Sequence, residues 1–298
     1  MPFQEAEEYI REKLDAKGIN IETQNYVIKY AYLNQKLFGD YINNDKVIDR
    51  IINNLDHSIS RFDSRSIKYP FLGKGGGYNT QERVIRQNPL TKILSFISRS
   101  WKDREISVIM HELDHCATTE YLDKEQSTVV VGIVNYRELI DLNKLNEGIT
   151  SYKQALYDEA LGINSHIEGY SIEKCVASFI ADTIGKEQLI SMHFNNDYNG
   201  IRKVFREKTG SDLNDLVEKL NKKSYIKSRI FGKLYTKKFS KDLNSYMESL
   251  RKGCNIEEVK RNTDLVPKCE IDYSKVRKSM KENEFQQQQV KDENKEYR

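Results

Sequence analysis

The sequence predicts an α+β fold that is mostly helical. Apolar residues recur at helical spacing along most of the 298 residues, and glycines or capping residues mark several segment ends. Between about residues 57 and 98, two prolines and the triplet Gly75-Gly76-Gly77 separate short segments of strand-like composition. A chain of this length can bury a large core, so we expect one large domain or two closely packed lobes.

The N-terminal segment, residues 1–56, is predicted to be helical. Its apolar spacing predicts helices over 3–17, 22–38 and 46–55, and a glycine follows each of the first two.

The middle of the chain combines strand-like segments with one long helix. Residues 78–87 and the β-branched run 128–136 are each typical of a strand, and we expect the first at the edge of a sheet. Between them, apolar residues such as Ile109 and Leu113 predict a helix over about 102–121 with one apolar side.

The rest of the chain is predicted to be helical up to a charged tail. Periodicity and capping residues predict helices over 146–161, 172–184, 186–194, 198–208 and 213–222. Residues 270–298 are charged and glutamine-rich and have little to bury, so we expect them to be disordered.

Bulk composition argues against a membrane or polyanion partner. Charged residues make up 31%, mean hydropathy is −0.71, and the longest uncharged apolar run, 127–136, is too short to cross a bilayer. The formal net charge is +3, so we expect no nucleic-acid partner. Because the N-terminus lacks an apolar signal-peptide region, we expect a cytoplasmic protein, or one exported by a route without such a signal. The four cysteines do not have the spacing of a disulfide framework.

The most informative motif is His111-Glu112-Leu113-Asp114-His115, an H-E-x-x-H string in the predicted helix 102–121. Histidines four residues apart lie on one side of a helix, so both imidazoles can reach a single ion. The apolar residues of this helix lie on the opposite side, so we expect the motif to face a cleft. Imidazole is a preferred zinc ligand, and the pattern predicts that His111 and His115 bind zinc while Glu112 holds a water molecule.

A catalytic zinc site needs a third protein ligand, and Glu147 is the best candidate. Thr118 and Tyr121 occupy the positions where a metzincin has its glycine and third histidine, so that pattern is absent. Glu147 lies 32 residues after His115, near the start of the predicted helix 146–161, where the helix dipole favours an acid.

The H-E-x-x-H string followed by Asn146-Glu147-Gly148-Ile149-Thr150 resembles the gluzincin class of zinc metallopeptidases, which includes the thermolysin-like enzymes. The likeness covers about residues 107–200, and its later part is similar to a bacterial branch of the class. The resemblance implies that His111, His115 and Glu147 bind one catalytic Zn²⁺ and that Glu112 is the general base.

The same resemblance implies a zincin-like fold of two lobes with the cleft between them. The upper lobe, residues 57–145, would contain a small mixed sheet packed on the H-E-x-x-H helix. A helical lobe, residues 146–269, would carry the third zinc ligand.

Two functions of a thermolysin-like site have no clear counterpart in this sequence. Those enzymes place an acid four residues after the ligand glutamate to orient a zinc histidine, but this chain has Ser151, so the orienting residue must lie elsewhere. Tyr170 and His166 are the best candidates to stabilise the transition state, because they follow the ligand helix where the chain turns back. Tyr152 and Tyr157 are alternatives.

The sequence therefore predicts a zinc-dependent peptidase whose peptide or protein substrate lies antiparallel to the strand 78–87. A non-catalytic, zinc-stabilised binding protein is the alternative, because residues 222–241 contain eight lysines or arginines and no acid. The spacing of Phe231, Tyr235 and Phe239 also fits a helix packed on a core. A zinc hydrolase acting on a non-peptide amide is a third interpretation. The residues do not indicate the oligomeric state.

Overall fold

Helices form most of the chain that the computed structural model describes, namely residues 2–60, 76–96, 98–122, 129–135, 140–163, 170–222 and 229–253. The helices of these residues are α1 (Phe3–Ala16), α2 (Ile21–Phe38), α3 (Asn44–Asn54), α4 (Pro89–Ser95), α5 (Arg99–Thr118), α6 (Asn143–Ala160), α7 (Ser171–Ile184), α8 (Lys186–Phe194), α9 (Tyr198–Thr209), α10 (Leu213–Asn221) and α11 (Arg229–Gly253). The prediction of a mostly helical α+β fold is confirmed. All described residues belong to one compact unit of the chain, Met1–Val266. The domain boundaries at 56/57 and 145/146 stay predictions.

The described strands form two small antiparallel sheets, whereas the sequence predicts a single mixed sheet. β1 (Gly76–Asn79) pairs with β2 (Val84–Gln87), and β4 (Val129–Val131) lies between β3 (Thr119–Tyr121) and β5 (Val134–Asn135). An isolated bridge between Ser60 and Arg86 is parallel. Strands β1, β2 and β4 pack on α5, so the expected packing of strands on the H-E-x-x-H helix is confirmed.

The segment 78–87 is a hairpin, so its prediction as one strand is wrong. The chain reverses after Asn79, whose side-chain oxygen accepts hydrogen bonds from the backbone N–H groups of Gln81 and Glu82. An asparagine that bonds to the backbone two and three residues ahead favours a turn.

The described part of the segment 128–136, residues 129–135, is a second hairpin, so the prediction of one strand here is also wrong. It reverses at Gly132, whose φ of 58° is the left-handed conformation that a two-residue hairpin turn requires. The H-E-x-x-H helix ends at Thr118 and not at Tyr121, because the residues that follow pair with β4. Sheet pairing thus replaces the last predicted turn of the helix.

The apolar side of α5 is anchored in the core. Ile109, Met110 and Leu113 are at most 1% exposed and pack in a cluster with residues of α1, α2 and α3. The predicted apolar stripe is therefore confirmed, and burial of this side holds the helix in place. On the other side of the helix, Glu112 faces β1 and His111 faces α6.

Helix α6, which carries Glu147, packs between α5 and α7. Gly148 permits a close approach to α7, because a Cβ atom at this position would lie 2.3 Å from the carbonyl oxygen of Glu173. A larger residue would push the two helices apart. The glycine of the N-E-G motif thus fixes the backbone beside Glu147, the predicted third ligand.

Several sequence predictions fall outside the described residues, among them His166, residues 223–228 and the tail 270–298. Helix α11 confirms helical structure in the basic segment from Arg229 onward. None of the described helices combines the length and apolar character that a bilayer span requires. Of the two described cysteines, Cys116 is a free buried thiol, whereas Cys175 is disulfide-bonded, which the cysteine spacing did not predict.

Candidate metal centre

The structure brings the three predicted metal ligands together. Successive turns of α5 place the Nε2 atoms of His111 and His115 3.2 Å apart. The Oε2 atom of Glu147 lies 3.2 Å from the first of these nitrogens and 3.5 Å from the second. Among the described residues these side chains form a group that can hold a metal ion.

Glu147 lies in the second turn of its helix, which corrects one part of the prediction. Helix α6 begins at Asn143, three residues before the predicted start, and has no acid in its first turn. The dipole of the helix therefore contributes little at Glu147, because its effect is confined to the first turn. Packing of α6 on α5 accounts for the position of the carboxylate.

The spacing of the three ligand atoms fits a tetrahedral site. Zinc–ligand bonds of about 2.0–2.1 Å at tetrahedral angles separate neighbouring ligand atoms by about 3.3 Å. The three observed separations are 3.2, 3.2 and 3.5 Å. Two imidazole nitrogens and one carboxylate oxygen are also a donor set that suits zinc, and they leave a fourth position for water or substrate. The residues present therefore fit the ion that the motif implies.

The electrostatics of this cluster favour a positive charge at its centre. Burial opposes a charge on His111, but the hydrogen bond to Glu147 and the charges of Glu112 and Glu147 raise the pKa of this imidazole to about 9. Burial also acts to raise the pKa of the Glu147 carboxyl, yet the charge of His115 and hydrogen bonds from both histidines lower it well below its usual range. The carboxylate is thus ready to bind a proton-bearing imidazole or a cation.

Gln154 orients His111 and was not predicted from the sequence. Its Oε1 atom lies 3.0 Å from His111 Nδ1, while its Nε2 donates to the hydroxyl (2.6 Å) and the carbonyl oxygen (3.2 Å) of Ser107. Because the amide nitrogen is fixed at Ser107, the amide oxygen must face the imidazole and accept a hydrogen bond from Nδ1–H. The lone pair of Nε2 is then directed at the metal position, as in zinc sites where a hydrogen-bond partner holds the other ring N–H of the histidine. Gln154 therefore takes the orienting role that Ser151 cannot fill.

The backbone of β1 holds the predicted general base. The N–H of Tyr78 donates a 2.8 Å hydrogen bond to Oε2 of Glu112. Within the described residues the other oxygen, Oε1, receives no hydrogen bond from the protein. The carboxylate is thus fixed through one oxygen and has the second available for a proton.

A cleft of about 220 Å³ opens over the three ligands. Its walls come from β1, from the β4–β5 hairpin and from α6, and they include Glu112, Asn143, Asn146 and Tyr170. The ring of Tyr170 is stacked on the imidazole of His111, with the centroids 5.9 Å apart and the planes 7° from parallel. The structure therefore brings Tyr170 to the cleft, as its predicted role requires.

The two tyrosine alternatives, Tyr152 and Tyr157, are not brought to this cleft. Tyr157 is fully buried and its hydroxyl donates to Asn34, so it does not reach the metal position. Tyr152 packs against the hydrophobic core. His166 lies outside the described residues.

A buried ion pair joins the two helices that carry the ligands. Asp114, within the H-E-x-x-H string, and Lys153 of α6 are both fully buried, and Lys153 Nζ lies 2.7 Å from Asp114 Oδ1. Burial lowers the pKa of Lys153, and Asp114 opposes that effect. The hydroxyl of Tyr30 donates to the same carboxylate oxygen at 2.9 Å. Because a mismatched buried charge is costly, this pair fixes how α5 and α6 align.

Comparison of the chain with protein-family models, with curated protein sequences and with solved structures finds no match.

Proposed function

We propose that this chain is a zinc-dependent peptidase of the gluzincin type. The observation that carries the proposal is the convergence of three ligand atoms, 3.2 to 3.5 Å apart, beside Glu112 in an open cleft. A structural zinc site has four protein ligands, whereas this group contains three among the described residues. That difference favours hydrolysis over a purely structural role. The proposal includes the two-lobe zincin arrangement.

A zinc ion held by His111, His115 and Glu147 would polarise a substrate carbonyl and make water a nucleophile at neutral pH. The chain itself supplies the proton transfer. Glu112 accepts the proton of the attacking water at Oε1, the oxygen that Tyr78 does not hold, and delivers it to the departing amine. The hydrogen bond from Tyr78 keeps the carboxylate in position throughout.

Tyr170 is proposed to donate from its phenol to the carbonyl oxygen as negative charge develops there. Support comes from its place in the cleft and from the stacked ring of His111, which orients it. His166 remains the second candidate for this role. A peptide substrate would lie along β1, which pairs on one side with β2 and has no second strand partner among the described residues.

Metal analysis and a broad peptide library test the proposal together. The purified protein should contain about one equivalent of zinc and hydrolyse peptides, and both properties should be lost in Glu147→Ala, which removes one ligand. Glu112→Gln is the matched variant, because the amide keeps the shape of the side chain but cannot accept the proton. It should keep its zinc and lose turnover by orders of magnitude.

The two variants separate the ways in which the proposal can fail. Full zinc content in Glu147→Ala at unchanged affinity would mean that another residue completes the site. Normal hydrolysis by Glu112→Gln would remove that glutamate from the mechanism. Bound zinc without turnover of any peptide in the wild type would favour the zinc-stabilised binding protein.

A further inference from the structure

Asn146, the residue before Glu147, has a side-chain amide whose orientation is fixed by hydrogen bonds on the side that faces away from the cleft. Its Oδ1 atom accepts a hydrogen bond from the backbone N–H of Ile133 at 3.1 Å and lies 3.0 Å from Nε2 of His193. The side chain is 4% exposed and nevertheless lines the cleft. One end of the amide is therefore engaged in the protein interior, while the other end is available to the cleft.

The assignment of oxygen and nitrogen in this amide is unambiguous. A backbone N–H can only donate, so the atom that faces Ile133 must be the carbonyl oxygen. The amide is planar, and Nδ2 consequently points away from Ile133 and His193. Among the described residues no protein group accepts a hydrogen bond from Nδ2. The two hydrogens on Nδ2 are therefore available to a hydrogen-bond acceptor in the cleft.

A chain of buried donors leads up to this amide. Nζ of Lys153 lies 2.9 Å from Nδ1 of His193, and both side chains are fully buried. Burial and the nearby charges of Lys153 and His115 lower the pKa of His193 well below its ordinary value, so the imidazole is neutral. It accepts from Lys153 at Nδ1 and therefore carries its single proton on Nε2, which donates to Asn146. Each donation polarises the next group, and the Nδ2 hydrogens become stronger donors.

The turn at Gly132 closes over the same amide. A Cβ atom at this glycine would lie 2.0 Å from Asn146 Oδ1 and 2.6 Å from His193 Nε2. Only a glycine at this position of the turn therefore leaves room for the amide oxygen and the imidazole that bonds to it.

We propose that Asn146 binds the substrate in the cleft by donating a hydrogen bond from Nδ2 to a carbonyl oxygen beside the metal position. This inference rests on the proposed function, because it needs a metal-bound ligand in the cleft. It assigns a purpose to the buried Lys153–His193 pair, which the reaction itself does not use. It also adds a second donor to the cleft besides the phenol of Tyr170.

The test uses acetohydroxamate, a small ligand that binds zinc and presents a carbonyl oxygen. Its affinity is measured by calorimetry on the zinc-loaded full chain. Asn146→Asp keeps the two buried hydrogen bonds to the oxygen but replaces the N–H donors, and it should weaken acetohydroxamate binding by about 5- to 10-fold at unchanged zinc content. Asn143→Asp is the control for added charge, because it places a carboxylate at an exposed position of the same cleft, where the Asn143 amide already donates to Asp141 at 2.7 Å. This control should change the affinity by less than about 2-fold.

Equal losses in the two variants would overturn the role of Asn146, since charge alone would then explain the effect. Failure of the zinc-loaded wild type to bind acetohydroxamate, or absence of zinc, would instead overturn the proposed open metal site and this inference with it. If Asn146→Asp does not fold, protein labelled with ¹⁵N-asparagine provides the measurement. A side-chain NH₂ signal that moves on addition of acetohydroxamate in both the wild type and Asn143→Asp supports the proposal. No moving signal overturns it.

Discussion

Replacing Gln154 by methionine should weaken zinc binding without removing any ligand. The variant loses the acceptor that lies 3.0 Å from His111 Nδ1 and keeps the volume of a side chain that is 8% exposed. Binding of zinc to Nε2 leaves a proton on Nδ1 of His111, and in the wild type Gln154 accepts a hydrogen bond from that N–H. In the zinc-bound variant this buried N–H has no acceptor at the position of residue 154.

The size of this effect follows from one hydrogen bond and one buried donor. A neutral hydrogen bond contributes about 1 kcal/mol, and a buried donor left without a partner costs about 1–3 kcal/mol. The metal-free protein suffers part of the same loss, so only the difference appears in the affinity. We therefore expect zinc affinity to fall by about 10-fold, the lower end of the range for loss of the group that orients a zinc histidine.

Competition with a chelator of known affinity measures this change directly. Ser107→Ala is the control: it removes the hydroxyl to which Gln154 Nε2 donates at 2.6 Å but leaves the bond between Gln154 and His111. It should lower the melting temperature and change zinc affinity by less than about 3-fold. Wild-type zinc affinity in Gln154→Met, or an equal loss in Ser107→Ala, would refute the orienting role.

Three further variants test the site and its support. Tyr170→Phe keeps the ring that is stacked on His111, so zinc content and melting temperature should stay unchanged. The value of kcat should fall by about 10- to 1,000-fold, because the phenol donor is lost. An unchanged kcat would mean that Tyr170 is a packing residue. Gly132→Ala should lower the free energy of unfolding by more than about 1 kcal/mol, because its Cβ would clash with Asn146 and His193. Gly162→Ala is the control for backbone strain, because Gly162 has a similar φ of 63° and no atom within 4 Å of an added Cβ. If both variants lose the same free energy of unfolding in urea, the clash at Gly132 is contradicted. Lys153→Met should cost about 3–5 kcal/mol in the same assay because it leaves Asp114 buried without its cation, and Asp114→Asn in the same chain should recover much of that loss. No recovery would show that packing of Lys153, and not its charge, is what matters.

The elements of this fold that follow from local sequence could be predicted. Gly18 and Gly39 end helices that the apolar period already delimits, and α1 and α2 end within one residue of the predicted positions. The hairpins were missed although their turn residues are present, because Asn79 and Gly132 lie inside runs of strand-like composition. Composition indicates a strand, but a single turn residue within the run decides where it folds back.

The three residues of the candidate metal site could be predicted, whereas the residues that support them could not. His111, His115 and Glu147 stand in motifs whose spacing reflects the chemistry. Gln154 and Lys153 look like ordinary residues of a polar helix face, and such faces are usually in water. They are buried here because α6 turns that face toward α5, which is a tertiary event. The i, i+7 spacing of Glu147 and Gln154 was the one local signal that placed them on the same side.

Two buried polar pairs between α5 and α6 fix the position of one helix relative to the other. The Asp114–Lys153 pair and the Gln154–His111 bond both cross from one ligand helix to the other, at 2.7 and 3.0 Å. An apolar interface would bind the helices equally well, but it tolerates sliding because dispersion contacts have little directionality. Charged and hydrogen-bonded partners tolerate very little sliding, since a shift of one helix along the other leaves a buried group unpaired. A site whose ligand atoms must stay within about 0.5 Å of the productive geometry gains from that intolerance. Apolar packing could provide stability as well, but the polar pairs between α5 and α6 also fix the distances between the two histidines and the glutamate.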